Sequence, residues 1–314
     1  MKKLRPGQQL PARKVSPFLE EYKYICIVRM PPQVRPLGRG GVGEVHLLEL
    51  DLPCGERLHI AHKAIVCRKY DAARHAREVA AMELAAAACP FVLRLYGASH
   101  PGKPPYGLYT EFAPLGSLHD LIQARRAAAG PGARRPTAPP LFSDGEVRWL
   151  AARVLTALRH VHALGMVHRD VSPHNIYRTA SGAPLLADFD AAEMVDDKGL
   201  VYPRGRGGGL VGRLATAAPE VRAAAYGGGG PYGKKADMWG LGAVLLEMVS
   251  EQSVADGPEL AGCSAALRGL LLEGLLVPQG RRLDAEAAMA HPFFDGVDWH
   301  NLEFEEAPPG LRGA

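Results

Sequence analysis

The chain has 314 residues, 47% of them hydrophobic and 22% charged, which is material for one large or two ordinary globular domains. Its formal net charge of +4 is not gathered into a long Lys/Arg block, so composition gives no footprint of a nucleic-acid binder, and no apolar run approaches the ~18 residues a membrane-crossing helix needs. Five scattered cysteines, Cys26, Cys54, Cys67, Cys89 and Cys263, form no CxxC pair and read as reduced thiols. With no secretory segment in the first 30 residues, a soluble protein of the cytoplasm or another intracellular compartment, without nucleic-acid or membrane partners, is expected.

Residues 1–30 read as an N-terminal extension whose Lys2, Lys3, Arg5, Arg13 and Lys14 are solvated. From Gln33 to Val66, β-branched and leucine residues alternate with polar ones around a Pro-Cys-Gly turn at 53–55, the pattern of three antiparallel strands. Asp71 can cap a helix that runs through an alanine-rich stretch to about Ala88, where Cys89-Pro90 stops it. Val92 to Tyr96 and Tyr106 to Phe112 supply two further strands, giving a five-stranded lobe with one helix. After Gly116 the character is mostly helical. Ala124 to Pro140, almost entirely Ala, Arg, Gly and Pro, reads as a flexible insertion. A helix starts at Ser143 or Asp144 with Glu146 in its first turn, and Leu150, Val154, Leu155, Leu158 and Val161 recur at helical spacing.

That helix delivers the chain to His168-Arg169-Asp170-Val171-Ser172-Pro173-His174-Asn175. An Asp and an Asn five residues apart in a tight turn suit phosphoryl transfer, the Asp taking the proton of an acceptor hydroxyl and the Asn holding a magnesium ion. Gly38-Arg39-Gly40-Gly41-Val42-Gly43 lies between two strands, where backbone amides can approach phosphate without interference from Cβ. A dinucleotide-binding glycine motif would run from strand into helix, whereas here strand continues through Val45-His46-Leu47-Leu48. Lys63 follows on the next strand. Asp188-Phe189-Asp190 stands thirteen residues beyond Asn175, and Ala218-Pro219-Glu220, Asp237-Met238-Trp239-Gly240, Arg281 and His291-Pro292-Phe293-Phe294 come later.

In this order the motifs resemble those of eukaryotic-type protein kinases over about residues 31 to 297. The resemblance implies an α+β, two-lobed kinase fold: an antiparallel β lobe at 31–111, a mainly helical lobe at 112–297, and a tail at 298–314. It implies Mg-ATP (ATP and Mg2+) as phosphoryl donor and protein substrates as acceptors on Ser or Thr. Asp170 would be the base, Lys63 would meet the phosphates with Glu78 as partner, and Asn175 and Asp188 would hold metal. Glu78 is preferred to Glu83 because Met82, one turn on, can pack behind the site. Leu37, Gly38, Gly40, Gly43, Val45, Ala61 and Lys63 would surround the nucleotide, with Thr110 behind it and the backbone of Glu111 and Ala113 on adenine. Glu220 and Arg281 would form a buried structural ion pair.

The chain departs from that pattern at four places. Ser172 stands where Ser/Thr kinases carry Lys. Arg213 replaces the Thr that normally bonds the catalytic Asp, and it would partly restore the lost charge. Asp190 replaces the Gly of D-F-G, and Tyr177 stands where a slim aliphatic residue is usual beneath adenine. Between Asp188 and Glu220 only Tyr202 and Thr216 carry hydroxyls. Two alternatives therefore stand beside the kinase reading. One is a pseudokinase acting as a nucleotide-binding scaffold. The other is a small-molecule phosphotransferase, against which the Ala218-Pro219-Glu220 and Asp237-Met238-Trp239 elements argue.

Overall fold

The computed structural model describes residues 35–51, 57–87, 89–100, 104–130, 140–202, 212–250 and 260–312. The extension read at residues 1–30 lies outside them. The chain divides into two compact units, the first ending at Ala113 and the second beginning at Pro114.

In the first unit, strands β1 (Arg35–Arg39), β2 (Gly43–Asp51) and β3 (Arg57–Ile65) are followed by helix α1 (Ala72–Ala86) and by β4 (Leu95–Ala98) and β5 (Gly107–Glu111). The strands form one antiparallel sheet in the order β1-β2-β3-β5-β4. Asp71 caps α1, its carboxylate accepting from the amide of Arg74 at 2.7 Å, which satisfies one of the helix's open donors. The buried residues of α1 are His75, Glu78, Ala81, Met82 and Ala85, a single face at helical spacing. The fourth strand begins at Leu95 instead of Val92. Val92 and Leu93 are buried just before it, Val92 as an isolated bridge residue, so their hydrophobicity reflects core packing and not a continuous place in the ladder.

The second unit opens with helix α2 (Leu118–Ala129) and helix α3 (Asp144–Ala163). Both start on a capping box, Ser117 with Asp120 and Ser143 with Glu146. The structure corrects the expectation of a flexible insertion from Ala124: Ala124 to Ala129 continue α2. Alanine and arginine are strong helix formers, and Arg125 is fixed by Glu146 at 2.6 Å and by the Leu141 carbonyl at 2.7 Å. Gly130, at φ 69°, ends the helix; residues 131–139 are outside the described residues.

Short strands β6 (Met166–Val167), β7 (Ile176–Arg178), β8 (Pro184–Leu186), β9 (Glu193–Met194) and β10 (Leu200–Val201) follow, then α4 (Pro219–Ala225), β11 (Tyr232–Gly233), α5 (Lys235–Val249), α6 (Ala265–Gly269) continuing into a π-helical stretch (Leu270–Leu275), and α7 (Ala285–Met289). Strands pair β6 with β9, β7 with β8, and β10 with β11. Helix α3 packs on α5 and α7. Its Val147, Leu150, Leu155, Leu158 and Val161 are wholly buried, each contributing about 2 kcal/mol of apolar burial. Helix α5 is buried on nearly every side.

Residues 298–312, set apart in the sequence as a tail, pack onto this unit. Leu302, Ala307 and Leu311 are buried. The buried Arg153 donates to Glu305 at 3.1 Å and to the Leu302 carbonyl at 2.5 Å, and Arg125 reaches the Gly310 carbonyl at 2.6 Å. Among the described residues no helix is long and apolar enough to cross a membrane.

Candidate active site

The first unit carries the glycine turn and the lysine. In the turn from β1 to β2 the amide of Gly40 donates to the carbonyl of Gly43 at 2.8 Å. A Cβ on Gly43 would run into the Ala64 carbonyl of β3, so that position requires glycine. Gly38 and Gly40 are exposed, as is Leu37, which leaves backbone open to a ligand.

Register fixes what lies on the sheet face that carries Lys63. Val45 pairs with Lys63, Leu47 with Ala61, and Ala61 with Thr110. Directly paired residues and residues two apart share a face, so Val45, Ala61, Lys63 and Thr110 point the same way. Lys63 Nζ donates to Glu78 Oε1 at 2.9 Å, and the Glu78 side chain is only 1% exposed. Its other oxygen accepts from the hydroxyl of buried Tyr70 at 2.5 Å. The competing helix carboxylate, Glu83, is exposed. Further along, Ala113 is buried, and the Glu111 carboxylate accepts from the amide of Arg94 at 2.9 Å while its amide donates to the Arg94 carbonyl at 3.0 Å.

The second unit carries the carboxylates. The amide nitrogen of Asn175 donates to Asp170 twice, to its Oδ2 at 2.8 Å and its carbonyl at 2.9 Å, leaving the Asn175 oxygen as the atom that could take a hard cation. Asp170 Oδ1 accepts from the backbone amide of Arg213 at 3.0 Å. The bond expected of the missing Thr is thus kept by main chain, and the exposed Arg213 side chain is not what supplies it. Burial chiefly raises the Asp170 pKa, and the charge of Asp188 adds to the rise. His168, the Asn175 amide and the Arg213 amide pull the other way.

Asp188 sits in the left-handed region at φ 63°, a conformation that non-glycine residues adopt only when their surroundings hold them. Its neighbours hold it. The Ala187 amide donates to the Asn175 carbonyl at 2.9 Å, and the Ala187 carbonyl accepts from His168 Nε2 at 3.0 Å. The Phe189 ring packs edge-on against His168, with centroids 4.7 Å apart. His168 therefore carries its proton on Nε2, and its Nδ1 accepts from the Asp170 amide at 3.3 Å. Asp190 lies in the following 3-10 turn, Phe189–Ala191. Ser172 is completely buried, and its Oγ has no partner among the described residues. Tyr177 is half-buried on β7 and bridges to Ser117.

Three residues carry more of this geometry than the sequence revealed. Asp237, the first residue of its motif, accepts from the amides of His168 and Arg169 at 2.8 Å each and sits 2.8 Å from His162 Nε2. Burial alone would raise its carboxyl pKa, but the hydrogen bond and charge of His162, with His168 beside it, hold the group below the usual carboxylate range. Arg169, at φ 68°, donates to the Ala191 carbonyl at 2.5 Å and to Glu193 at 3.1 Å. His119 stacks on His174 with ring centroids 3.8 Å apart. Burial, followed by Arg213 and His119, pushes His174 down to about 4.

The ion pair expected between Glu220 and Arg281 is corrected by one residue. Arg282 is the buried partner, donating to Glu220 at 2.5 and 3.1 Å, and Arg281 is exposed. The turn at Pro278–Arg282 directs the second arginine inward, where it also meets the carbonyls of Val277 and Lys235.

A five-stranded antiparallel unit with a strand lysine paired to a helix glutamate, together with a mainly helical unit holding an Asp-Asn loop and a strained Asp, defines a phosphotransfer-type class of fold. The protein kinase domain profile matches residues 32–294; the chain belongs to the protein kinase family. It is 30% identical over 237 residues to 3-phosphoinositide-dependent protein kinase 1 of Arabidopsis thaliana, covering 68% of this chain and 46% of that protein. Serine/threonine-protein kinase WAG1 of the same plant is 29% identical, with 89% and 68% covered. The RAC family serine/threonine-protein kinase homolog of Dictyostelium discoideum is 30% identical over 187 residues, with 54% and 39% covered. The chain thus spans less than half the length of the first and third of these relatives.

Proposed function

We propose that this chain transfers the γ-phosphate of Mg-ATP to Ser or Thr hydroxyls of protein substrates. The observation that carries the reading is the Asp170–Asn175 pair, two hydrogen bonds that fix a carboxylate beside a carboxamide oxygen. In the step proposed, the acceptor oxygen forms a bond to the γ-phosphorus while the bond from that phosphorus to the β–γ bridging oxygen breaks. ADP leaves, and the hydroxyl proton passes to Asp170. Burial and the charge of Asp188 make Asp170 a better proton acceptor than an ordinary carboxylate. Lys63, held by Glu78, would meet phosphate oxygens.

The donor set fits a hard divalent cation: the carboxylate of Asp188 and the amide oxygen of Asn175 are oxygen ligands of the kind magnesium takes. Bound magnesium would neutralise charge on the phosphates. The relatives named as serine/threonine kinases support the acceptor class, and Pro173 in the loop matches the Ser/Thr form.

The test is transfer of labelled γ-phosphate to a mixed Ser/Thr/Tyr peptide pool, run beside Asp170→Asn. Loss of about 10²–10⁴-fold in the variant is expected. Label on tyrosine alone would overturn the acceptor class. The second reading, a nucleotide-binding scaffold, draws on Ser172, whose buried Oγ supplies none of the charge that a lysine would bring. Nucleotide binding with no transfer from the intact chain is its expected outcome.

A further inference from the structure

Arg213 is bound to the base by its main chain, and its side chain is left over. Its amide touches Asp170 Oδ1 at 3.0 Å, and the neighbouring Gly212, at φ 83°, packs so closely that a Cβ there would strike the Arg169 carbonyl and Asp170. Segment 212–213 is therefore fixed against Asp170, one bond from the Cα that carries the guanidinium. The Arg213 side chain is exposed, and no carboxylate among the described residues forms an ion pair with it. It is near enough to His174 to act on that ring electrostatically.

Three acids of this unit are engaged by residues other than Arg213. Glu193 is held by Arg169 at 3.1 Å, Glu220 by Arg282 at 2.5 Å, and Asp120 by its capping box with Ser117. The sequence around it repeats the bias. From Lys198 to Pro219 it contains Lys198, Arg204, Arg206 and Arg213 and not one Asp or Glu. An acceptor whose hydroxyl reaches Asp170 would lie close to Arg213, whose guanidinium forms no ion pair among the described residues, and opposite charge attracts while like charge is rejected.

We infer that this site takes an acceptor hydroxyl flanked by negative charge, from carboxylate side chains or from phosphate, and that Arg213 is the residue that reads it. The inference rests on the kinase reading above and names its substrate class. Arg213 acts here as a specificity residue through its side chain, while its amide goes on positioning Asp170.

The test compares kcat/KM for three peptide sets sharing one acceptor serine: flanked by Asp/Glu, by phosphoserine, or by Lys/Arg. The intact chain, Arg213→Ala, Arg213→Lys and Arg213→Glu are measured side by side. Ratios within one enzyme cancel any general loss of activity. The intact chain should prefer acidic over basic flanks by about two- to fivefold for each flanking charge. Arg213→Ala should erase most of that ratio, Arg213→Lys restore it, and Arg213→Glu reverse it. Whether phosphoserine or Asp/Glu gives the larger ratio identifies the source of the charge. Transfer with a ratio near one overturns the inference and leaves the kinase reading standing. An acidic preference unchanged in Arg213→Ala overturns the role of Arg213. No transfer to any peptide overturns both.

Discussion

The two units hold their candidate functional groups by different means. In the first, a side chain is held by side chains: Lys63 by Glu78, and Glu78 by Tyr70, with His75 3.3 Å from the Tyr70 hydroxyl. In the second, the backbone of the loop is held, because Asp237 takes the amides of His168 and Arg169 directly. Side-chain pairs can rearrange through rotamers at modest cost, whereas backbone amides shielded from water that lose their acceptor have nowhere else to go. The Asp170 loop is accordingly the more rigid half, and Lys63 is the more adjustable.

The largest test of this contrast is Asp237→Ala. It would leave the buried His168 amide, the part-buried Arg169 amide and His162 without their acceptor, and the loss should be about 3–5 kcal/mol, read from chemical denaturation. A loss below about 1 kcal/mol would mean that the loop does not depend on this anchor. Asp237→Asn keeps the shape and one acceptor oxygen, and should cost clearly less than Asp237→Ala.

Next in size is the ion pair of the second unit. Arg282→Ala removes a buried guanidinium that serves Glu220 and the carbonyls of Val277 and Lys235, and about 3 kcal/mol should go with it. Arg281→Ala, at an exposed neighbour, should stay within about 0.5 kcal/mol. Equal effects at the two positions would refute the pairing of Glu220 with Arg282.

Motif order points to this arginine's neighbourhood and misses its register, because a tight turn decides which of two adjacent side chains points inward. The same limit explains Asp237. Its motif is visible in the sequence, but its bonds span 69 and 68 residues, and no local pattern announces such an approach. By contrast, Glu78 is separable from Glu83 through the helix face it shares with Met82, and the caps Asp71 and Ser143 are readable because capping is local. The helical Ala124–Ala129 stretch escapes a sequence reading because its order comes from a cap upstream and from Glu146, twenty-one residues beyond Arg125. The packing of residues 298–312 is hidden for a related reason. It depends on Arg153 and Arg125, which sit on helices 149 and 185 residues earlier.

In the first unit the effects should be smaller. Tyr70→Phe deletes the 2.5 Å bond to Glu78 while keeping the ring, and about 1–1.5 kcal/mol of stability should be lost. If side-chain holding is as adjustable as argued, Lys63 should stay paired to Glu78 in that variant, seen as retained protection of Lys63 from amine-reactive labelling. Full exposure of Lys63 to the reagent would show that the pair is not adjustable and that Tyr70 is essential to it.

The smallest effect concerns pH and lies on β3. His62 is 2% exposed and stacks on Tyr109, with ring centroids 4.5 Å apart at 10°. Burial first, and the charge of His46 second, lower its pKa below the ordinary 6.5. A histidine that stays neutral in the folded chain but takes a proton in the unfolded one gives the unfolded state more bound protons as pH falls. Stability from this source is therefore complete above about 6.5 and is lost progressively below it, toward the lowered folded value. His62→Phe keeps a flat ring against Tyr109 and removes the titration. Unfolding free energy measured from pH 7 to 5 should fall less steeply in the variant than in the parent, and equal slopes would show that His62 is not a source of acid sensitivity in this unit.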